Sequence, residues 1–323
     1  MSILKSREAV LALAILALLA LIASRFPAFV APANLARVLT DTSPLILLAL
    51  GQMAVILTKC IDLSVAANLA LCGMVAGLMD GMGVPLAVIL PAVIAMGAAL
   101  GAVNGLLVWK LGIPSIVVTL GTMTIYRGTI FLLTDGAWIN AHQLSDGFKA
   151  LPRLVLLGLP VMAWIALAAV ALIGLAVARL PLGRALYAVG GNPHAAGYAG
   201  ISVGRTQFAA FVLAGALAGL TGYLWVARYA VAYVDIAGGF ELDVVAACVI
   251  GGIAIAGGAG SVAGAVMGAL FLGIIKNALP VVGISPFWQM AISGSAILIA
   301  IAAGTLARRD PGRIILKTAE ART

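Results

Sequence analysis

The chain has 323 residues, 63% of them hydrophobic and only 9% charged, with a mean hydropathy of +1.19. A soluble domain carries charge on about a quarter of its residues, so this composition excludes a water-exposed globular surface. The net charge of +8 comes with no nucleic-acid motif. It lies mainly in loops and a basic tail over 307–323, so anionic lipid headgroups and cytoplasmic retention account for it, and no nucleic-acid partner is expected.

Repeated apolar runs approach the ~20 residues that cross a bilayer. Backbone satisfaction in lipid makes such runs helices, and barrel strands would place polar residues at every second position. The expected fold is all-α and polytopic, one transmembrane domain over 1–323. The first element starts with Lys5 and Arg7 ahead of an apolar core, as a signal peptide does. No convincing A-x-A site follows and the run ends in Ser24-Arg25, so it reads as a retained first span. Ten spans are predicted: 8–25, 42–58, 63–80, 85–108, 114–134, 153–178, 206–226, 241–257, 261–282 and 286–306.

An even number puts both termini on one side. With the termini inside, twelve Lys and Arg face the cytoplasm, among them Lys59, Lys110, Arg179, Arg184 and Arg205. The other seven are Arg25, Arg37, Arg127, Lys149, Arg153, Arg228 and Lys276. Segment 135–152, carrying Trp138, His142 and Asp146, becomes the largest outer loop and reads as solvated. Segment 178–205 becomes a cytoplasmic loop, polar, basic and glycine-rich between greasy neighbours. It holds a short helix over 192–199, opened by Asn192 as cap and Pro193 at the first helical position.

An internal repeat is visible. The run from Asp62-Leu63-Ser64-Val65 to Cys72-Gly73 aligns without gaps to Glu241-Leu242-Asp243-Val244 through Gly251-Gly252. GAALGAV at 97–103 then matches GAVMGAL at 264–270, and Gly112-Ile113-Pro114-Ser115 echoes Gly283-Ile284-Ser285-Pro286. The two copies lie five spans apart, so the second is inverted in the membrane, as in many transporters. Gly97, Gly101, Gly105, Gly264 and Gly268 have the small-x3-small spacing of close helix contacts.

The polar residues within or beside the spans are few. Asp62 and Glu241 open the repeat helices, where capping is the expected role and gating or proton carriage the alternative. Asp62, Asn68, Asn104, Thr119, Glu241 and Asp243 are the candidate pathway or gate residues. Arg127 and Lys276 are expected to snorkel to headgroups from the outer ends of their helices. Trp109, Trp225 and Trp288 fall near span ends, as interfacial anchors do. Cys60, Cys72 and Cys248 read as small buried hydrophobes, with no metal or disulfide spacing. Catalytic motifs are absent, and so is any phosphate-cradling P-loop, so no cofactor is expected on this chain and ATP-driven work needs a partner.

Four blocks resemble permease subunits of sugar-importing ATP-binding-cassette (ABC) transporters, the ribose, xylose and rhamnose group related to branched-chain amino acid permeases. They are Ile61 to Val65; Asn104-Gly105 with Ile113 to Thr122 and Arg127-Gly128; Gly190 to Ala196 with Gly200-Ile201; and Glu241-Leu242-Asp243 through Gly251-Gly252 with Gly257 to Ser261. Lys59-Cys60 and Ala66 depart from the family, which has glycines there. The first two spans look most like those of rhamnose permeases. The resemblance implies an inner-membrane importer subunit working by alternating access. Its implied partners are a cytoplasmic P-loop ATPase holding ATP and Mg, a second permease copy or paralogue, and a periplasmic sugar-binding protein. It also implies that Gly190, Gly191, Asn192, Pro193, His194, Ala195, Ala196 and Gly200 form the coupling segment that docks on the ATPase. The rival is an ion-coupled secondary transporter for a small polar solute. It needs a mid-membrane carboxylate, and no span clearly carries one.

Overall fold

The computed structural model describes residues 7–281 and the single positions 283, 288, 291, 294 and 295. The tenth predicted span falls almost wholly outside the described residues, and the basic tail does so entirely. Among the described residues, seven helices are long and apolar enough to cross a membrane. They are α1 (Arg7–Arg25), α2 (Pro32–Leu57), α4 (Leu86–Leu111), α5 (Ser115–Thr134), α7 (Val161–Arg179), α10 (Val203–Tyr229) and α12 (Val262–Val281). Two shorter apolar helices lie between them, α3 (Val65–Gly81) and α11 (Phe240–Ile250). The chain is a mostly helical, multi-pass membrane protein.

Boundaries moved for physical reasons. The second predicted span opened at residue 42, yet α2 begins at Pro32, where proline suits the first helical turn. The sixth predicted span opened at 153, but residues 155–160 form a hairpin of β1 (Val155–Leu156) and β2 (Leu159–Pro160), and α7 starts after it. The eighth was expected to reach 257. Instead α11 stops at Ile250, where Gly251 and Gly252 break the helix, and Gly252, Gly257, Gly258 and Gly260 all have positive φ.

Two helices organise the bundle. α2 is buried throughout from Thr42 to Leu57, with Leu47, Leu48, Met53 and Ile56 inaccessible. α10 runs antiparallel to α4: Gly97 meets Gly215 and Gly219, Gly101 meets Phe211 and Gly215, and Gly105 meets Phe208. A Cβ at Gly97 or Gly215 would overlap the opposite backbone carbonyl. Lipid supplies little hydrophobic drive for helices to associate, so close packing of this kind must hold them. α11 and α12 pair in the same way, Gly251 on Gly264 and Ala247 on Gly268. α1 stands outermost, its Ile22 joined to Phe29, Val38, Ile274 and Ala278 in a small separate cluster.

The glycines that align between the two similar segments therefore do different jobs, Gly97 and Gly101 facing α10 but Gly264 and Gly268 facing α11. The exchange of neighbours is more regular. α10 packs on α3 and α4, whereas α2 packs on α11 and α12.

Segment 135–152 is solvated over most of its length, with Trp138, His142 and Asp146 exposed, but it is ordered and anchored by Ile139, Leu144, Phe148 and Pro152. Ser145 caps α6 (Asp146–Arg153) by accepting from the Phe148 N–H, and its own N–H and hydroxyl both donate to Asp80 at 2.7 Å. Phe148 is buried edge-on to Tyr223, whose hydroxyl donates to the Phe148 carbonyl. Trp138 stacks on Tyr233 with centroids 4.7 Å apart, and Ile139 pairs with Ala232.

Replacing Gly215 with valine should push α4 and α10 apart and cost about 1–3 kcal/mol, the usual penalty of overpacking. Gly121, with no neighbour in reach of an added Cβ, should accept alanine without loss. Thermal unfolding of both variants in mild detergent checks this contrast.

Candidate functional site: two chain breaks and a basic end loop

The polar residues gather at two places where the chain leaves helical geometry. The first is segment 58–64, between α2 and α3. Lys59 has φ +66, a left-handed conformation that costs a side-chain-bearing residue about 1–3 kcal/mol. Segment 58–64 is satisfied from several directions. The Asp62 carboxylate accepts from the Ser64 N–H at 2.8 Å and its hydroxyl at 2.6 Å. Asn104 on α4 donates to the Ser64 hydroxyl at 2.8 Å, closing a chain from amide to hydroxyl to carboxylate. Ser115, at the start of α5, accepts from the Ile61 N–H. With its amide oriented to satisfy both groups, Gln52 bridges the Asp62 carbonyl and N–H at 3.2 Å each. The Asn104 carbonyl oxygen is buried with no donor.

Asp62 was expected to cap α3. The cap position belongs to Ser64, and Asp62 bends the approach to it instead. Thr119 donates to Ser115 at 2.9 Å and reaches the Ile61 carbonyl at 3.4 Å. Asn68, one turn into α3, donates to the Gly97 carbonyl and accepts from the Cys72 thiol. Cys60, Cys72 and Cys248 are all buried and free.

The second break is segment 230–239, between α10 and α11, at the opposite end of the bundle. Arg127 does not snorkel to headgroups. Its guanidinium donates to the Val234 and Ile236 carbonyls at 2.7 Å each, with Asp235 at 3.9 Å. These two carbonyls account for its position directly. Lys276 does not snorkel either; its ammonium is paired with Asp243. Glu241 sits in the first turn of α11 behind the Gly239 cap position and makes no side-chain cap, so its role there is with the helix dipole and the Arg127 charge. The six candidate pathway residues thus divide, Asp62, Asn68, Asn104 and Thr119 in or near one break and Glu241 and Asp243 near the other.

The loop between α7 and α10 holds α8 (Pro181–Gly191) and α9 (Pro193–Tyr198). The Asn192 side chain accepts from the Ala195 N–H at 3.1 Å, so the short helix starts where its Asn-Pro pair predicts. Gly200 has φ +80 and turns the chain into α10, where Ser202 caps. His194 and Ala195 are exposed, Ala196 is buried, and Tyr198 stands 94% exposed. Gly190 is wedged against the Leu57 carbonyl and Gly258, and the Gly258 N–H donates to that same carbonyl. Tyr187 donates to the Gly260 carbonyl, and Gln207 reaches the Thr58 carbonyl. The exposed end loop therefore touches the start of the first break and the glycine-rich connection between α11 and α12. Sequence reading missed Ser64, Ser115, Gln52 and the carbonyls at 234 and 236. Small hydroxyls and bare carbonyls leave no pattern that marks them.

These features define a polytopic helical membrane protein with its polar groups collected in two breaks and one ordered end loop. The family follows from comparison. Residues 34–302 match the family described as "Branched-chain amino acid transport system / permease component", and the chain belongs to it. It is 38% identical over 297 residues to the autoinducer 2 import system permease protein LsrC of an Enterobacter species, covering 92% of this chain and 86% of that protein. It is 36% identical over 293 residues to the ribose import permease protein RbsC of Escherichia coli, covering 90% and 91%. The ribose import permease of Haemophilus influenzae is 34% identical over the same length. No solved structure matches at a significant level. The chain is a transport component rather than an enzyme.

Replacing Asp62 with alanine should leave the Ser64 N–H and hydroxyl without their acceptor and cost about 1–3 kcal/mol. A thermal midpoint in detergent that does not fall would show that Segment 58–64 holds without this carboxylate.

Proposed function

We propose that this chain is the membrane-spanning subunit of an ABC importer for a small sugar or sugar-like solute. The observation that carries this reading is full-length similarity to permeases named for ribose and for autoinducer 2. Neither name supports rhamnose in particular, so the reading stops at the substrate class. Membership of a bacterial-type import permease family places the protein in the inner membrane. With the basic tail counted at the α8–α9 end, the twelve-to-seven excess of Lys and Arg supports a cytoplasmic location for that end and both termini.

The expected transport machinery is a pair of permeases, this chain with a second copy or a paralogue. Two P-loop ATPases bind inside and bring ATP and Mg, and a sugar-binding protein docks outside. Segment 178–205 is the coupling element. Gly190, Gly191, Asn192, Pro193, His194, Ala195, Ala196 and Gly200 shape the part that meets the ATPase. A short capped helix moves as a rigid body, and Gly190 against Leu57 and Gly258 carries that movement to segment 58–64. ATP-driven closure then tilts one half against the other.

Ten spans and an inverted repeat belong to the same proposal. α3 and α11 each follow an irregular segment, 58–64 and 230–239, and these lie at opposite ends of the bundle. The exchange of α2 and α10 between the halves fits two inverted copies that each lend a helix to the other. Asp62, Asn68, Asn104, Thr119, Glu241 and Asp243 then sit where a rocking movement would strain or release the breaks.

The ion-coupled rival finds no support in the relatives' names. Co-purification from native membrane in mild detergent decides between the two. A stoichiometric P-loop ATPase supports the importer, and a transporting preparation without one overturns it. For the coupling element, Asn192→Ala with Pro193→Gly removes a cap worth about 1 kcal/mol. Uptake and ATPase association should fall by at least about fivefold, the factor that 1 kcal/mol commands, while the chain stays in the membrane.

A further inference from the structure

A basic cavity opens at the end of the bundle opposite α8 and α9. It has a volume of about 350 Å³. Arg37, Arg153 and Arg228 line it, with Thr40, Ala33 and Pro160. They come from the first turns of α2, the end of α6, the end of α10 and the cap of α7, so the cavity lies at the level where helices end and headgroups begin. Arg153 donates to the Arg228 carbonyl at 2.9 Å. Arg228 is bonded to Asp41 at 3.0 Å, and Arg37 lies 3.6 Å from the same carboxylate. One acid against three guanidiniums leaves two positive charges in excess. The Arg228 Nε–H is buried and has no acceptor.

An apolar groove adjoins the cavity and shares Ala33, Ala36 and Gly158 with it. Its volume is about 560 Å³, and Leu35, Leu39, Leu157 and Leu159 supply its walls. The β1–β2 hairpin beside it exposes Leu154, Val155, Leu156 and Leu157 in succession. Such a run suits contact with lipid, and the Trp164 indole, in the first turn of α7, holds it by donating to the Leu156 carbonyl.

We infer that this cavity and groove bind one anionic phospholipid, its phosphate among Arg37, Arg153 and Arg228 and an acyl chain along Leu35, Leu39 and Leu157. Guanidiniums match phosphate oxygens with paired donors. A free anion would use the cavity but gain nothing from the groove. A zwitterionic lipid would bring its own cation to a site already in positive excess. The inference needs the chain to sit in a membrane, and it holds whichever end is cytoplasmic. It is therefore independent of the coupling element and of the solute.

The test uses the full chain in nonionic detergent, with short-chain phosphatidylglycerol, short-chain phosphatidylcholine or inorganic phosphate added, read by native mass spectrometry. Phosphatidylglycerol should bind in preference to phosphatidylcholine. R37Q with R153Q should weaken it by about thirtyfold, the effect of two surface arginines at about 1 kcal/mol each. Both side chains touch solvent, and an unchanged thermal midpoint confirms folding; R37Q alone serves as a milder second variant. Leu157→Asn, acceptable at its φ of +51, should weaken the lipid but leave phosphate unaffected. Equal binding of the two lipids, or full binding by the double variant, overturns the inference. So does a lipid no tighter than inorganic phosphate. A double variant that keeps its lipid but fails to engage a solute-binding protein also overturns it, and assigns the arginines to that protein.

Discussion

In hydrocarbon a peptide group that leaves helical geometry has no water to turn to, and each one left unpaired costs several kcal/mol. That constraint governs the two breaks. At segment 58–64, Ser115, Asn104 and Gln52 converge from three elements, and Ser64 within it joins them, to satisfy a few backbone and carboxylate groups. At segment 230–239 one guanidinium answers two carbonyls. The helices around each break must stand close enough to supply these partners, and the glycine contacts of α4 with α10 allow that approach. Packing and polar satisfaction are thus one requirement: widen the helix spacing and the breaks lose their donors.

Such breaks suit a moving protein. A continuous helix resists bending, whereas an irregular segment held by a handful of hydrogen bonds can exchange one set for another. The first break is joined to the exposed end loop through Gly190, Leu57 and Gly258, where backbone meets backbone without an intervening side chain. A contact between bare backbones has little slack, so displacement of α8 must be taken up by its neighbours. Lys59 makes the same point from the other side. It holds a left-handed conformation, and its methylene stem lies over Gly257.

Much of this was legible beforehand because its signals are local. The all-helical membrane class follows from composition. The capped helix over 192–199 follows from Asn-Pro, and it appears as α9 with Asn192 as its cap. The close-contact glycines follow from their spacing. What misled the reading was also local: Arg127 and Lys276 near helix ends look like headgroup anchors, since nothing nearby in sequence reveals carbonyls 107 and 109 positions away or a carboxylate 33 away. Segment 135–152 is solvated as its charges suggest, but its anchor was hidden, since the partner that buries Phe148, Tyr223, is 75 positions distant.

By itself the sequence determined that the chain crosses the bilayer many times as helices, because hydrophobicity, caps and glycine spacing act over one or two turns. It also determined the family, because ordered blocks along the chain survive without reference to shape. Only the tertiary structure decided which polar groups meet. It brought Asp62 to Ser64 and Asn104, and it paired Arg127 with the bare carbonyls and Lys276 with Asp243. Hydrogen bonds need contact within about 3 Å, and contacts between distant segments are set by how helices pack, which no short window of sequence contains.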